Sequence, residues 1–260
     1  PAMTAPAMAA KLKDIGTPEA VNAFVDEVAH LMRSQAAAVL GNVLVVFPVV
    51  LLLSVGIGLL LGHPMLGAKE AAYTLHSLSL LGPTLLFAGF TGCLLFASSI
   101  IAGWVENWFV LRRLDSAMRY NPSVTGLLGV ERAGRWAHFM RNNISGFASN
   151  ISLGFMLGLI PPIMAFFSLP LEVRHVTLSA GQLAAASAAY GVQTVFMPAF
   201  WWAVAAIPLI GALNLGVSFY LAYQLALRAH NVSGVQRAHI HQAIWARWRH
   251  RPLSFFIPAG

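Results

Sequence analysis

Six arginines lie close in the sequence to one tyrosine, a combination that could act on a phosphate ester. A tyrosine hydroxyl can attack a phosphate ester when Arg and His side chains stabilise the charge on the phosphate. Tyr120 and His138 lie in segment 106–141, which contains the six arginines. This segment is only 36 residues long, which is too short for an independent catalytic domain. We therefore predict no catalytic residue in the chain, although the residues leave enzymatic activity as such open.

Arginine also binds the phosphates of anionic lipids, and ten arginines flank the apolar parts of the chain. The C-terminal stretch 235–251 combines arginine with tryptophan and isoleucine, a composition typical of a helix on an anionic membrane surface. Contact with lipid headgroups or another phosphate is predicted for Arg112, Arg113, Arg119, Arg132, Arg135, Arg141, Arg237, Arg247, Arg249 and Arg251.

Nine histidines and one cysteine could also indicate a metal site. His239 and His241 are two residues apart, so a helix would point them to nearly opposite faces. Cys93 permits no internal disulfide and lies in an apolar run, where a small buried side chain is expected. Four other candidates could meet only through the tertiary fold: His63, His76, Glu172 and His175. No metal and no cofactor are predicted.

The composition excludes an ordinary soluble domain as the scaffold for these side chains. Of the 260 residues, 58% are apolar and 10% are charged, whereas soluble domains have roughly 45–50% and about 25%. The mean hydropathy is +0.70, which a water-exposed domain of this length cannot support because its surface needs charge. The net charge of +7 favours an anionic partner, either lipid headgroups or nucleic acid.

Four stretches without Asp, Glu, Lys or Arg each exceed the ~20 residues that cross a bilayer as a helix. They are continuously apolar and do not alternate, which argues against a strand barrel. The sequence predicts an all-α, polytopic membrane protein with about four transmembrane helices and short amphipathic or re-entrant helices. The predicted spans are 39–61, 80–103, 151–169 and 195–221.

Lys and Arg in the segments outside these spans alternate between many and few, as 3, 1, 6, 1 and 5 along the chain. Because basic residues concentrate on the cytoplasmic side of transmembrane helices, this pattern predicts four crossings with both ends cytoplasmic. The chain is therefore expected in the bacterial inner membrane, with loop 106–141 in the cytoplasm. Its predicted partner is the anionic headgroups of the phospholipid membrane.

Further segments complete the predicted organisation. Residues 1–35 are predicted to form an N-terminal cytoplasmic segment with an amphipathic helix. Thr17 is its expected N-cap, and Pro18 follows at the first helical position. This helix leads into the transmembrane domain 36–227. Residues 104–120 are expected to extend the second span as a helix into the cytoplasm.

Segment 177–191 is rich in Ala, Ser and Gly. It predicts a short helix on the outer side, interfacial or re-entrant, docked through its small residues. Residues 228–260 are predicted to form a basic, amphipathic C-terminal tail.

Small and polar residues within the spans are expected to pack helices, either inside one chain or between copies in a homo-oligomer. These residues are Gly58, Gly62, Asn150, Gly154, Gly158 and Asn214. No ionisable residue lies in the middle of a predicted span, which argues against a proton- or ion-coupled transporter. Prolines within the spans nevertheless keep a transporter or channel component as an alternative.

Three stretches resemble one known family. They are residues 141–186, which include the fairly specific LPLEVRHVTLSAGQLA, the opening PAMTAPAMAA, and residues 201–222, WWAVAAIPLIGALNLGVSFYLA. The family is a bacterial transmembrane family named for site-specific recombination, the Gcr type. Its members are longer before the matched region, so the resemblance implies that this chain is a C-terminal membrane portion, with the remainder of the same protein as a partner.

The family name implies a membrane-associated site-specific DNA recombinase, with DNA as a partner. The residues themselves favour an integral inner-membrane helical domain with a structural, scaffolding or envelope-related role and no catalytic site. The recombinase and a transporter or channel component are the alternatives.

Overall fold

The computed structural model describes residues 17–229 and 234–257, and all secondary structure in these ranges is helical. This confirms the predicted all-α fold. The α-helices in the described ranges are α1 (Pro18–Leu61), α2 (Ala68–Ser77), α3 (Thr84–Leu111), α4 (Leu114–Tyr120), α5 (Pro122–Leu128), α6 (Val130–Phe166), α7 (Val176–Tyr190), α8 (Pro198–Ala229) and α9 (Gly234–His250). Short 3-10 helices, Gly191–Phe196 and Pro252–Phe255, precede α8 and follow α9. Predictions made for residues 1–16 and for the side chain of Arg237 lie outside the described part.

Four of these helices, α1, α3, α6 and α8, are long and apolar enough to cross a membrane. Each of the four predicted spans overlaps one of them, and each helix is longer than its predicted span. α3 begins at Thr84, four residues after the predicted start at 80. α8 begins at Pro198 and not at residue 195, because proline suits the first helical position, where no N–H partner is needed. α6 ends at Phe166, three residues before the predicted end at 169.

The predicted amphipathic helix and the first span form one continuous helix, α1. The Thr17 hydroxyl caps its start by accepting a hydrogen bond from the N–H of Ala20 at 3.2 Å, and Pro18 follows at the first helical position. The helix ends at Gly62, whose φ of 75° is a left-handed conformation that glycine adopts without strain. One helix therefore carries both the charged start and the apolar span.

The expected continuous extension of the second span to residue 120 is wrong, because the helix is interrupted. α3 ends at Leu111, and Arg113 adopts a φ of 51°, outside the right-handed helical region. α4 then begins at Leu114 as a separate short helix. Asn121 follows α4 and caps α5 by accepting a hydrogen bond from the N–H of Ser123 at 2.9 Å.

The contacts between neighbouring helices show which of them run parallel and which antiparallel. α3 and α8 run parallel, since the Ala88 carbonyl bonds to Asn214 and Gly92 faces Val217. α6 runs antiparallel to α3, and the hydroxyls of Ser98 and Ser149 lie 3.4 Å apart at their contact.

α1 runs antiparallel to α8. The rings of Phe24, near the start of α1, and Tyr223, near the end of α8, have centroids 6.2 Å apart. Together with the α3 and α6 directions, this brings the start of α1, the end of α3, the start of α6 and the end of α8 to one end of the bundle. We call this end the basic end, because it carries the arginines of segment 106–141 and of the C-terminal tail.

The predicted helix at 177–191 corresponds to α7, which lies within the bundle. It packs against α1, α2 and α8, and its buried face is dominated by small residues such as Ala180, Ala184, Ala186 and Ser187. Small residues therefore form much of the docked face of α7, while its interfacial or re-entrant placement on the outer side stays a prediction. Helix α2, which the sequence analysis does not predict, packs Ala71 and Leu75 into the same core.

The contact between α3 and α8 depends on the absence of a side chain at Gly92. A Cβ atom at this position would lie 2.7 Å from the Val217 Cβ and 3.0 Å from the Leu213 carbonyl oxygen. We expect Gly92→Ala to destabilise the protein by about 1–3 kcal/mol, because an overpacked helix contact must separate. Thermal unfolding of the purified chain in detergent measures the effect. Gly89→Ala is the control, since nothing lies within 4 Å of that added methyl group; equal effects of both variants would contradict the close-contact explanation.

Candidate functional site

Residues 167–175 leave the helical conformation between α6 and α7; the segment is exposed at its start and becomes buried at Arg174. In apolar surroundings each backbone N–H and C=O of such a segment needs a hydrogen-bond partner. Asn214 satisfies three backbone groups. Its Oδ1 accepts from the N–H of Val176 at 3.0 Å, and its Nδ2 donates to the carbonyls of Arg174 and Ala88, both at 2.9 Å. The side chain is only 2% exposed, so one buried amide joins α3, α8 and the connecting segment.

Thr91 and Arg174 extend this network. The Thr91 hydroxyl donates to the Phe87 carbonyl and accepts from the N–H of Arg174, both at 2.8 Å. The buried Arg174 guanidinium donates to the Ser77 carbonyl at 3.1 Å and pairs with Glu172 at 2.5 Å. Because Ser77 is the last residue of α2, the cation also stabilises the C-terminus of that helix.

From the sequence, Arg174 counts only as one basic residue in an outer connection, and its structural role is not predicted. It is 6% exposed, and its guanidinium carbon lies 5.8 Å from the centroid of the Phe87 ring, within range of a cation–π interaction. The available signal was the pair Glu172 and Arg174 standing between two long apolar stretches, where an isolated charge would be costly.

Tyr73 connects α2 to the same segment. Its hydroxyl donates to a Glu172 carboxylate oxygen at 3.2 Å. The negative charge of Glu172 and this hydrogen bond raise the pKa of the Tyr73 hydroxyl above its ordinary value. Glu172 thus has two partners, Arg174 and Tyr73, which hold its carboxylate between α2 and the connection.

His175 directly precedes α7 and borders a partly enclosed, mainly apolar space of about 160 Å³, here called the polar cavity after the hydrogen-bonding side chains among its lining residues. Its Nδ1 atom is buried and has no hydrogen-bond partner in the described structure. Burial lowers the pKa of the imidazole, so the neutral form is favoured. The polar groups that line the cavity with His175 come from four helices and include Gln35, Asn42, Ser99, Thr177, Asn214 and Ser218.

A second space, here called the α6–α7 cleft, lies beside the polar cavity where α6 and α7 do not pack directly. It has a volume of about 510 Å³ and is lined by Gly154, Gly158 and Asn150 of α6, and by Asn42, His175 and Thr177 on the other side. Nothing lies within 4 Å of a Cβ atom placed on Gly154 or Gly158. Within this chain these glycines therefore border an opening, and their packing against another copy stays a prediction.

The other residues predicted for helix packing have different positions. Asn214 is buried as described above, whereas Asn150 is exposed to the cleft. A Cβ on Gly58 would lie 3.4 Å from the His63 carbonyl oxygen, so Gly58 packs on the connection that follows its own helix. Gly62 ends α1 with its positive φ. Close helix approach occurs instead at Gly92 and at Gly211, where Val39 and Val176 pack.

The six arginines of segment 106–141 are all exposed. Arg112 and Arg113 follow the end of α3, Arg119 lies on α4, and Arg132, Arg135 and Arg141 lie on the first turns of α6. Arg141 pairs with Asp115 at 2.5 Å, and its hydrogen bond lowers the pKa of that carboxyl group. The guanidinium carbon of Arg119 lies 5.5 Å from the ring centroid of Tyr120, and His138 bonds to Asn142 at 2.9 Å.

The C-terminal tail folds back onto the start of α1. Arg247 pairs with Asp26, donates to the Ser254 hydroxyl at 3.0 Å and lies over the ring of Phe255. Arg33 donates to the Ser254 carbonyl at 3.1 Å. Of the tail arginines predicted to contact lipid, Arg249 and Arg251 are exposed while Arg247 is held within the chain.

The cysteine and histidine positions bear on the remaining predictions. Cys93 is exposed, so the expected burial is wrong: the residue lies on the outer face of α3. His241 lies against the Tyr223 ring, with centroids 5.8 Å apart. In the described ranges, no group of three His, Cys, Asp or Glu side chains is placed to hold a metal ion.

Four apolar helices, an internal hydrogen-bond network around Asn214 and charged segments at one end are the features of a helical membrane domain. A family model described as site-specific recombinase matches residues 1–258, and the chain belongs to this family. Comparison with curated proteins gave no match, and comparison with solved structures gave none either.

A substitution of Asn214 tests the buried hydrogen-bond network that it forms with the backbone of Val176, Arg174 and Ala88. Asn214→Ala leaves the N–H of Val176 and the carbonyls of Arg174 and Ala88 without their partner. We expect a loss of about 3 kcal/mol or more, since each buried unsatisfied group costs about 1–3 kcal/mol. Chemical unfolding in detergent measures it. Asn150→Ala, on the exposed amide of α6, should change stability by less than about 0.5 kcal/mol; a similar loss for both variants would refute the role of Asn214.

Proposed function

We propose that the chain is an integral inner-membrane helical domain with a structural, scaffolding or envelope-related role, and that its basic end rests on anionic lipid. The carrying observation is that segments far apart in the sequence bring their arginines to one end of the bundle. Lys and Arg at the surface of a membrane protein attract anionic headgroups, each contributing about 1 kcal/mol. The exposed Arg112, Arg113, Arg132 and Arg135 are available for this contact.

A cytoplasmic position for both ends of the chain is part of the proposal. The start of α1 and the tail after α8 are joined by the Arg247–Asp26 pair and by the bond from Arg33 to Ser254. Lys69, by contrast, stands at the start of α2, directly after the connection from α1. Because the basic side of a membrane protein is normally cytoplasmic, this arrangement supports the alternating count of charges.

The family description favours a second candidate, recombination of DNA. This chemistry requires a nucleophile with several cations directed at one phosphate. Tyr120 is 69% exposed, but Arg119 lies over its ring and Arg141 is paired with Asp115. Two of the nearby arginines are therefore occupied within the chain, and the geometry supports the structural role better.

The topology is tested with single cysteines introduced after Cys93→Ser. We expect Arg132→Cys to react with a membrane-impermeant maleimide only after cells are permeabilised, because it lies at the basic end. Lys69→Cys, at the opposite end, should react in spheroplasts without permeabilisation. Gel-shift labelling of the two variants measures the difference. The reverse pattern, or equal labelling of both, would contradict the proposed orientation.

The lipid contact is tested by replacing exposed arginines. The quadruple change of Arg112, Arg113, Arg132 and Arg135 to Gln should reduce the extra thermal stability that nanodiscs with phosphatidylglycerol confer over neutral phosphatidylcholine. The control is Arg247→Gln, which should lower stability equally in both lipids because its partners are Asp26 and Ser254.

Two outcomes would count against the proposal. An anionic-lipid effect that survives the quadruple change would exclude these arginines as its source. A covalent adduct between the purified chain and DNA that Tyr120→Phe abolishes would establish the recombinase function in its place.

A further inference from the structure

The polar cavity and the α6–α7 cleft share part of their lining. Asn42, His175 and Thr177 contribute to both spaces. The cavity is the more enclosed of the two, while the cleft opens between two helices that do not pack against each other. A molecule entering through the cleft would therefore meet the same three side chains that line the cavity.

The chemistry of the lining is neutral throughout. None of the described residues around either space is Asp, Glu, Lys or Arg. More hydrogen-bonding side chains line the cavity than the cleft. Those of Asn214, Ser99 and Ser218 are bonded within the chain, whereas the Nδ1 atom of His175 is buried without a partner. Desolvating an ionised headgroup here without an opposite charge would be costly, so the lining selects an uncharged polar group.

The walls of the cleft are mainly apolar. Leu153, Leu157 and Leu178 form its walls, and Gly154 and Gly158 leave open space along α6. Beside it, Phe155 and Leu159 are 63% and 52% exposed on the surface of α6. Such a groove is suited to a hydrocarbon chain arriving from surrounding lipid.

The N-terminus of α7 would favour one orientation of a ligand's polar group. A helix N-terminus carries partial positive charge on its unpaired N–H groups and favours an oxygen acceptor. The N–H of Val176 is already bonded to Asn214, while the Thr177 side chain faces both spaces. An alcohol or carbonyl oxygen bound here would lie near Thr177 and the unpartnered Nδ1 atom of His175.

We propose that the polar cavity and the α6–α7 cleft form a binding site for an uncharged membrane amphiphile. Its hydroxyl- or carbonyl-bearing head lies at Asn42, His175 and Thr177, and its hydrocarbon chain follows Gly154 and Gly158. The polar cavity, at about 160 Å³, has room for a head of only a few heavy atoms, because a cavity of about 150 Å³ accommodates benzene. The site extends the function beyond a structural role.

Photolabelling of the 260-residue chain in vesicles of phosphatidylethanolamine and phosphatidylglycerol tests the site. The probe is a monoacylglycerol with a diazirine in its acyl chain. We expect saturable labelling, located by peptide mass spectrometry on residues 150–158 and 174–178 and displaced by unlabelled monoacylglycerol. The same chain on a lysophosphatidic acid should label these peptides about tenfold less, since its head is charged.

A matched pair of variants separates specific binding from general lipid contact. Gly154→Leu places a side chain in the open cleft, where nothing lies within 4 Å of the added Cβ atom. We expect the fold to persist, and an unchanged melting temperature checks this. We expect labelling to fall about tenfold or more, the size of effect that changes in an apolar pocket produce. Gly146→Leu lies on the same helix with equally open surroundings and should label normally.

Several results would overturn the proposal. These are labelling that is equal in all three proteins, labelling lost in both leucine variants, and equal labelling by the charged probe. A protein–protein crosslink at Gly154 that excludes the probe would assign the cleft to a second copy of the chain.

Discussion

The hydrogen bonds of Asn214 are the interaction on which the rest of the bundle depends. A chain that abandons helical structure among apolar helices must satisfy its backbone groups through side chains, because no solvent is available to do so. Asn214 provides one acceptor and two donors at the required positions, and Thr91 adds the bond to the N–H of Arg174. With these bonds in place, α7 can begin deep in the bundle and pack against α1 and α8.

The hydrogen bonds of Asn214 and Thr91 to the segment before α7 also explain why the bundle has internal space. Residues 167–175 turn inward after α6, and α7 then packs on α1, so α6 contacts α3 and leaves a cleft towards α7. Pro161 and Pro162 have no N–H, so the carbonyls of Leu157 and Gly158 lose their usual helical partners beside this cleft. Buried hydrogen-bonding side chains are therefore found where the chain is irregular.

Charges in this molecule serve two separate purposes. Arg174 and Arg247 are tied to carboxylates and backbone or hydroxyl groups of the chain, and they connect segments that are distant in sequence. The arginines after the end of α3 and near the start of α6 are exposed and form the surface of the basic end. Removing a cation of the first kind leaves its partners unpaired, while removing one of the second kind changes mainly the attraction to anions.

The sequence by itself determined the all-α class, the four apolar helices and the break at residue 121. Hydropathy, length, capping residues and prolines act within a few turns of chain, so they can be read locally. Only the tertiary structure decided that Asn214 is buried while Asn150 is exposed, that Gly92 and not Gly154 permits close packing, and that Arg174 and Arg247 have internal partners. These outcomes depend on which face of a helix meets which neighbour and on contacts between residues up to 221 positions apart. The local sequence pattern of a helix does not determine such contacts.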